Sequence, residues 1–221
     1  MRASLDTNVI IHFYRAGLKE LLFDFFEDGV VIYAQIRDVE LENHGGDVLA
    51  EVDKDITDSK ITKYTDEMLK KQSIYNLFIK NVRDNKILYN PDDMGEVYAI
   101  SLAQTLGIEY LVTDDIKQGG PYMSLMQLED YDVRPFNFAE ILILLFLSGK
   151  ESSDSIIGFF DEINKASNLN WSIKSHLERF LRRFVYDPYN VEDVDWFKEY
   201  KDKYSIKMKS RIDELYQRIS E

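Results

Sequence analysis

Short apolar runs alternate with amphipathic stretches as far as about residue 148. Runs typical of strands cover residues 2–5, 30–33, 108–113 and 131–134, and each is followed by apolar residues at helical spacing. Parallel strands that are joined by crossover helices produce this alternation. The pattern therefore predicts an α/β fold of three layers, α/β/α, in which a central and mainly parallel sheet lies between helices.

The helices predicted for this region differ in how clearly their ends are marked. The helix over residues 94–106 is the clearest, because Gly107 follows it and glycine is the favoured residue just beyond a helix. A long amphipathic helix is predicted over residues 62–81, after a polar loop or weak helix over 47–58. The other predicted helices cover residues 9–16, 18–27, 35–43 and 137–147.

Beyond residue 148 only helical spacing remains, and helices are predicted over residues 152–166, 172–185 and 191–219. We therefore expect two domains, an α/β domain at 1–148 and a helical extension at 149–221. The segment 172–189 carries more apolar and aromatic side chains than one isolated helix can bury. They either pack against the flanking helices or form a surface for a protein partner such as a second copy of the chain.

Composition narrows the classes of function. The chain has no cysteine, which excludes disulfides and thiolate zinc sites and favours a reducing cytoplasm. The most apolar stretch, residues 141–147, is far shorter than the roughly 20 residues that span a bilayer, and Arg2 and Asp6 interrupt any signal peptide. We expect no membrane association. The net charge of −13 opposes broad attraction to nucleic acid, so a nucleic-acid enzyme would need local basic patches or metal ions.

Acidic residues follow two of the predicted strands. Asp6 comes after the first strand, and Asp114 and Asp115 come after the strand over 108–113. Ligand sites of parallel α/β sheets lie at the carboxyl ends of strands, so these side chains can converge. Taken singly, each is equally typical of a helix cap or a turn.

Two glutamates on predicted helices could complete such a site. Glu40 lies one helical turn after Ile36 and so shares its apolar face. Glu96 lies on the apolar stripe of the helix over 94–106, although Asp93 and Glu96 also have the spacing of a capping box. Clustered carboxylates repel one another unless a cation neutralises them, and hard oxygen ligands favour Mg²⁺ or Mn²⁺. The three histidines are not spaced as metal ligands.

These segments resemble the PIN-domain family of ribonucleases, which includes many toxins of toxin–antitoxin pairs. The similarity lies in Ser-Leu-Asp-Thr-Asn-Val-Ile-Ile at 4–11, in Ile-x-x-Val-Glu-Leu at 36–41, and in the closing half. That half combines Asp-Met-Gly-Glu-x-x-Ala-Ile-x-Leu-Ala at 93–103 with Leu-Val-Thr-Asp-Asp at 111–115. The resemblance covers residues 1–148 and none of 149–221. The long predicted helix and the helical tail are unlike the compact toxins of the family.

The resemblance implies a metal-dependent endonuclease that hydrolyses RNA, with DNA left open as the substrate. Under it, Asp6, Glu40, Glu96 and Asp115 are the catalytic acids, and the metal is held by Asp6, Glu96 and either or both of Asp114 and Asp115. Asn8 and Thr113 are supporting residues that hold water or orient a carboxylate. An antitoxin or another protein is the implied partner. In such a ribonuclease, basic residues could contact phosphates, although each is equally typical of a solvated surface charge: Lys70, Lys71, Lys117, Arg182 and Arg183.

The alternative function is a PIN-like binding or regulatory module without turnover. The acidic net charge and the aromatic helical tail favour it. Such a protein would act through protein contacts of its helical extension.

Overall fold

The computed structural model describes residues 1–88, 94–117, 120–127, 133–186 and 191–220. The chain divides into two compact units, Met1–Asn137 and Phe138–Glu221. The division falls ahead of the boundary expected at residue 148, because the apolar helix Phe138–Leu147 packs against helices of the tail. Within the described ranges no helix is long and apolar enough to cross a membrane.

A five-stranded parallel sheet forms the centre of the first unit, with strand order β3-β2-β1-β4-β5. The strands are β1 Ala3–Leu5, β2 Val30–Tyr33, β3 Ile61–Tyr64, β4 Tyr110–Val112 and β5 Arg134–Phe136. From β1 the chain moves outward to β2 and β3, and then returns to place β4 on the other side of β1. The order therefore reverses between β1 and β4, and such a reversal opens a crevice at the carboxyl ends of these two strands.

Helices connect and flank the strands. In the first unit they are α1 Thr7–Arg15, α2 Glu20–Phe25, α3 Glu42–His44, α4 Leu49–Thr57, α5 Asp66–Lys71, α6 Tyr75–Leu88, α7 Met94–Leu106 and α8 Pro121–Gln127. A π-helical segment, Ile36–Leu41, precedes α3. The α/β fold with its parallel sheet is as predicted.

Strand β1 shows why both sides of the sheet are covered. The Ser4 hydroxyl donates to the carbonyl oxygen of Ala99 in α7 at 2.8 Å, so Ser4 points to the face where α7 lies. Ala3 and Leu5 point to the opposite face, since side chains alternate along a strand. Both are fully buried. Strands that are buried on both faces are typical of parallel sheets.

The prediction of one long helix over 62–81 is wrong. Strand β3 begins the segment, and Thr65 caps α5 by accepting a hydrogen bond from the Met68 amide at 3.3 Å. Ser73, with a φ of 62°, then separates α5 from α6. The weak helix considered over 47–58 is α4. The strand predicted at 131–134 begins at Arg134, and residues 131 and 132 lie outside the described residues.

The second unit is helical, with α9 Phe138–Leu147, α10 Ser153–Ala166, α11 Ile173–Leu181, α12 Val191–Lys203 and α13 Met208–Ser220. The single helix predicted over 191–219 is two helices, with Ser205 at a φ of 51° between them. The rings of Phe180 and Phe184 lie 5.6 and 5.4 Å from that of Phe197, so these two aromatic residues of the segment 172–189 are buried within the unit. Residues 187–189 lie outside the described residues.

Candidate functional site

Asp6 lies at the crevice between β1 and β4. Its backbone amide donates to the carbonyl oxygen of Val112 at 2.9 Å, which continues the pairing of the two strands by one residue. Its carboxylate caps α1 by accepting from the Thr7 amide at 2.7 Å, and its second oxygen accepts from the Thr113 hydroxyl at 3.2 Å. The residue is only 2% exposed. Asp6 is therefore both a helix cap and a buried acidic group at a strand end.

The surroundings of Asp6 disfavour its negative charge. Burial, together with the nearby charges of Asp114 and Asp115, raises the pKa of Asp6 to about 7. Hydrogen bonds from the Thr7 amide and the Thr113 hydroxyl oppose the rise without cancelling it. The carboxylates of Asp6, Asp114 and Asp115 are thus close enough to influence one another.

Thr113 links the two acidic segments. Its hydroxyl donates to Asp6 Oδ2 and accepts from the backbone amide of Asp115 at 3.2 Å. Asp115 Oδ1 accepts a hydrogen bond from the backbone amide of Lys117 at 3.2 Å, and Asp115 Oδ2 forms an ion pair with Lys117 Nζ at 2.7 Å. A Cβ atom at Gly120 would lie 2.6 Å from Asp115 Oδ1, so this close approach requires glycine.

His12 is a residue of the site that sequence reasoning missed. Its Nδ1 atom lies 2.6 Å from Asp114 Oδ2, and both side chains are largely buried. The feature that could have indicated His12 is its position on α1, one turn after Asn8 and on the same helical face. Asn8 itself is exposed. The contact places an imidazole against the buried carboxylate that follows β4.

Glu40 lies in the π-helical segment, and Glu96 lies in the first turn of α7. A Cβ atom at Gly95 would lie 3.3 Å from Glu40 Cγ and 3.2 Å from Thr7 Oγ1, so Glu40 and the start of α1 meet at Gly95. Glu40 accepts a hydrogen bond from Gln35 Nε2 at 3.0 Å and is partly exposed. Glu96 is buried. Asp93, its capping alternative, lies outside the described residues.

The structure brings together three of the five sequence-predicted acids, because Asp6, Asp114 and Asp115 lie around Thr113. Glu40 lies beside Gly95 and Thr7, the latter next to Asp6 in the chain, and Glu96 is buried in α7. Among the described residues, no three or more acidic or histidine side chains are already arranged to hold a metal ion. The donors themselves suit a hard divalent cation, because they are carboxylate and hydroxyl oxygens. One further observation fits a ligand here: Thr7 Oγ1 is buried and has no hydrogen-bond partner in the described structure.

Arg183 is not available to bind phosphate, so its prediction as a phosphate contact is wrong. It is 1% exposed, and its guanidinium donates to Asp193 at 2.6 Å and to Glu140 at 3.1 Å. Carboxylates inside the second unit therefore neutralise its positive charge. Arg182, Lys70, Lys71 and Lys117 are exposed.

Comparison with known proteins adds no relative. No family model, no curated protein and no solved structure matches this chain.

Proposed function

We propose that the protein is a metal-dependent endoribonuclease, a hydrolase that cleaves phosphodiester bonds of RNA. The observation that carries the proposal is the position of Asp6, a buried carboxylate with two further aspartates nearby at the point where the strand order reverses. Ligands of open α/β sheets bind at such a point. The resemblance of residues 1–148 to PIN-domain ribonucleases supports the same reaction.

In this proposal Asp6, Glu96, Asp114 and Asp115 hold Mg²⁺ or Mn²⁺, and Glu40 lies at the edge of the same crevice. Bound there, the cation supplies Lewis-acid stabilisation of the charge that develops on the phosphodiester. The protein supplies fixed oxygens: α1 and Thr113 orient Asp6, and the Asp115 turn is held by the same hydroxyl. This support limits the motion of the ligands before substrate arrives.

Electrostatics favour a cation at this position. A carboxylate whose pKa is raised to about 7 by burial and by like charges resists ionisation at neutral pH. A divalent cation reverses this preference, because it offers two positive charges where three carboxylates repel one another. The net charge of −13 would likewise repel RNA phosphates, and bound metal would reduce that repulsion locally.

The test is cleavage of labelled RNA with Mn²⁺ by the wild type, Asp6→Asn and Asp161→Asn. Asp161 is exposed on α10, so its variant has the same change in charge away from the site. We expect activity in the wild type and Asp161→Asn, loss of at least about 100-fold in Asp6→Asn, and none with excess chelator. Equal activity of the wild type and Asp6→Asn would refute the proposal. Absence of cleavage by all three would favour the alternative, a binding module without turnover.

A further inference from the structure

Three tyrosines lie beside the candidate site, on the face of the sheet that α7 covers. Strand β2 pairs with β1 so that Val31 is level with Ser4, and Tyr33 is the last residue of β2, two positions after Val31. Ser4 points toward α7, so Val31 and Tyr33 do too, because paired residues and side chains two residues apart share a face. The Tyr33 ring lies 5.0 Å from the Tyr98 ring of α7.

Tyr75, at the start of α6, completes the set, which we call the tyrosine cluster (Tyr33, Tyr75 and Tyr98). The Tyr33 hydroxyl donates to Asp66 Oδ1 at 2.5 Å, and the same carboxylate lies close enough to the Tyr75 hydroxyl to raise its pKa. The buried ring of Phe78 lies 4.6 Å from that of Tyr33 and 6.3 Å from that of Tyr98. A core residue and a shared carboxylate therefore hold the cluster in place.

The cluster is both accessible and close to the acidic residues. All three tyrosines are partly exposed. Partial burial raises the pKa of the Tyr98 hydroxyl, and Asp66 and Glu40 lie close enough for their negative charges to raise it too. The Tyr98 hydroxyl has no hydrogen-bond partner in the part of the chain that the structure describes. Lys70 Nζ lies 4.6 Å from the centre of the Tyr75 ring, and the neighbouring Lys71 is exposed.

We propose that the tyrosine cluster is a subsite on which unpaired bases of single-stranded RNA stack as the strand enters the crevice. The inference rests on the proposed function, since it names how the substrate of that site is held. Aromatic rings bind single strands without regard to sequence, because every base has a π-face. Lys70 and Lys71 are placed to contact the adjacent phosphates.

The overall charge makes stacking the suitable source of affinity. With a net charge of −13, the protein gains little from general attraction to phosphate. Binding that depends on stacking releases few counterions. Its affinity should therefore fall only shallowly with salt, with a log–log slope on the order of −1 to −2.

The experiment is fluorescence anisotropy of a labelled single-stranded oligoadenylate in chelator, where no metal-dependent cleavage occurs. We compare the wild type with Tyr98→Leu, Tyr98→Phe and Tyr75→Leu. The matched control is Tyr186→Leu, at an exposed tyrosine of the second unit. We expect Tyr98→Leu and Tyr75→Leu to bind about 5- to 150-fold more weakly, the range that loss of one stacked base gives. Tyr98→Phe keeps its ring and should bind as the wild type does, as should the control.

Thermal melting of each variant identifies any that fail to fold. Tyr75 is partly exposed at a helix start, so Tyr75→Leu keeps the test valid if Tyr98→Leu unfolds. Unchanged affinity in both leucine variants, binding of an RNA duplex as tight as that of the single strand, or no binding by the wild type would each overturn the subsite. Cleavage is scored separately with Mn²⁺. Tyrosine-dependent binding without cleavage would support the subsite and refute the nuclease activity. Cleavage by the wild type, together with unchanged binding in the leucine variants, would support the nuclease activity and refute the subsite.

Discussion

Replacing Asp6 by asparagine should stabilise the metal-free protein at neutral pH, although it removes a residue of the proposed site. The ionised carboxylate is 2% exposed and lies near two further aspartates. Asparagine is close in shape and carries no charge, so it can still accept the Thr7 amide hydrogen bond. The substitution therefore removes the cost of burying a charge and keeps the cap of α1.

The magnitude follows from the pKa of Asp6. Folding raises it from 3.8 to about 7, and at 1.36 kcal/mol per pKa unit the ionised form costs about 4 kcal/mol of stability. Because the folded pKa is the higher one, the wild type is most stable below pH 3.8 and loses this stability as the pH rises through about 7. The amide's poorer match to the Thr113 hydroxyl costs about 1 kcal/mol. Asp6→Asn should therefore be more stable than the wild type by about 3 kcal/mol at about pH 8 and less stable by about 1 kcal/mol at about pH 4.

The assay is urea unfolding in chelator at a series of pH values, for the wild type, Asp6→Asn and Asp161→Asn. The control shows the effect of removing one exposed negative charge, which should stay within about 0.5 kcal/mol at every pH. A difference between the wild type and Asp6→Asn that does not change with pH would refute the reasoning, since it would show that Asp6 does not titrate between the two limits.

Metal should reverse the order of stability. At about pH 8, Mn²⁺ at about 1,000 times its dissociation constant should stabilise the wild type by about 4.1 kcal/mol, which exceeds the advantage of about 3 kcal/mol that Asp6→Asn has without metal. It should leave Asp6→Asn nearly unchanged, because the variant lacks one ligand carboxylate. Equal stabilisation of both proteins would argue that the cation binds elsewhere.

Two further substitutions test other parts of the structure. Gly95→Ala would place its Cβ 3.3 Å from Glu40 Cγ and displace that side chain; we expect slower RNA cleavage with Mn²⁺, since Glu40 is one of the proposed catalytic acids. Gly158→Ala, whose Cβ meets nothing within 4 Å, should gain about 1 kcal/mol of stability and cleave RNA as the wild type does. Arg183→Met leaves two buried carboxylates without their guanidinium and should cost about 3–5 kcal/mol in urea unfolding. The exposed Arg182→Met should change stability by less than about 0.5 kcal/mol, and a similar small value for Arg183→Met would contradict the buried ion pairs.

Helix α7 and strand β3 show where periodicity is a reliable guide and where it is not. The apolar stripe of α7 runs for three turns and ends at Gly107, so its bounds at Met94–Leu106 follow from the pattern. Strand β3 is only Ile-Thr-Lys-Tyr and runs almost directly into α5, so its two apolar residues also fit a helical stripe. What makes it a strand is hydrogen bonding to β2, a partner about thirty residues away that local spacing does not reveal.

The candidate site divides in the same way. The position of Asp6 after a strand and of Asp114 and Asp115 after another is visible in the chain, because turn and cap residues mark strand ends. The contact of His12 with Asp114 and the hydrogen bond from Gln35 to Glu40 cannot be read from the sequence, because the spacing of each pair along the chain does not indicate that the two residues meet. The burial of Arg183 was misjudged because a charged residue beside other charges is usually solvated.

The sequence by itself determined the α/β class, the helical character of the tail and the placing of acidic residues at strand ends, because these depend on local periodicity and capping. Only the tertiary structure decided the strand order, and with it the adjacency of β1 and β4. Strand order is set by which buried faces and backbone groups pair across long stretches of chain. That pairing brings Asp6 near Asp114 and Asp115 and sets the end of β2, with Tyr33, beside β1, which turns separate residues into one candidate site.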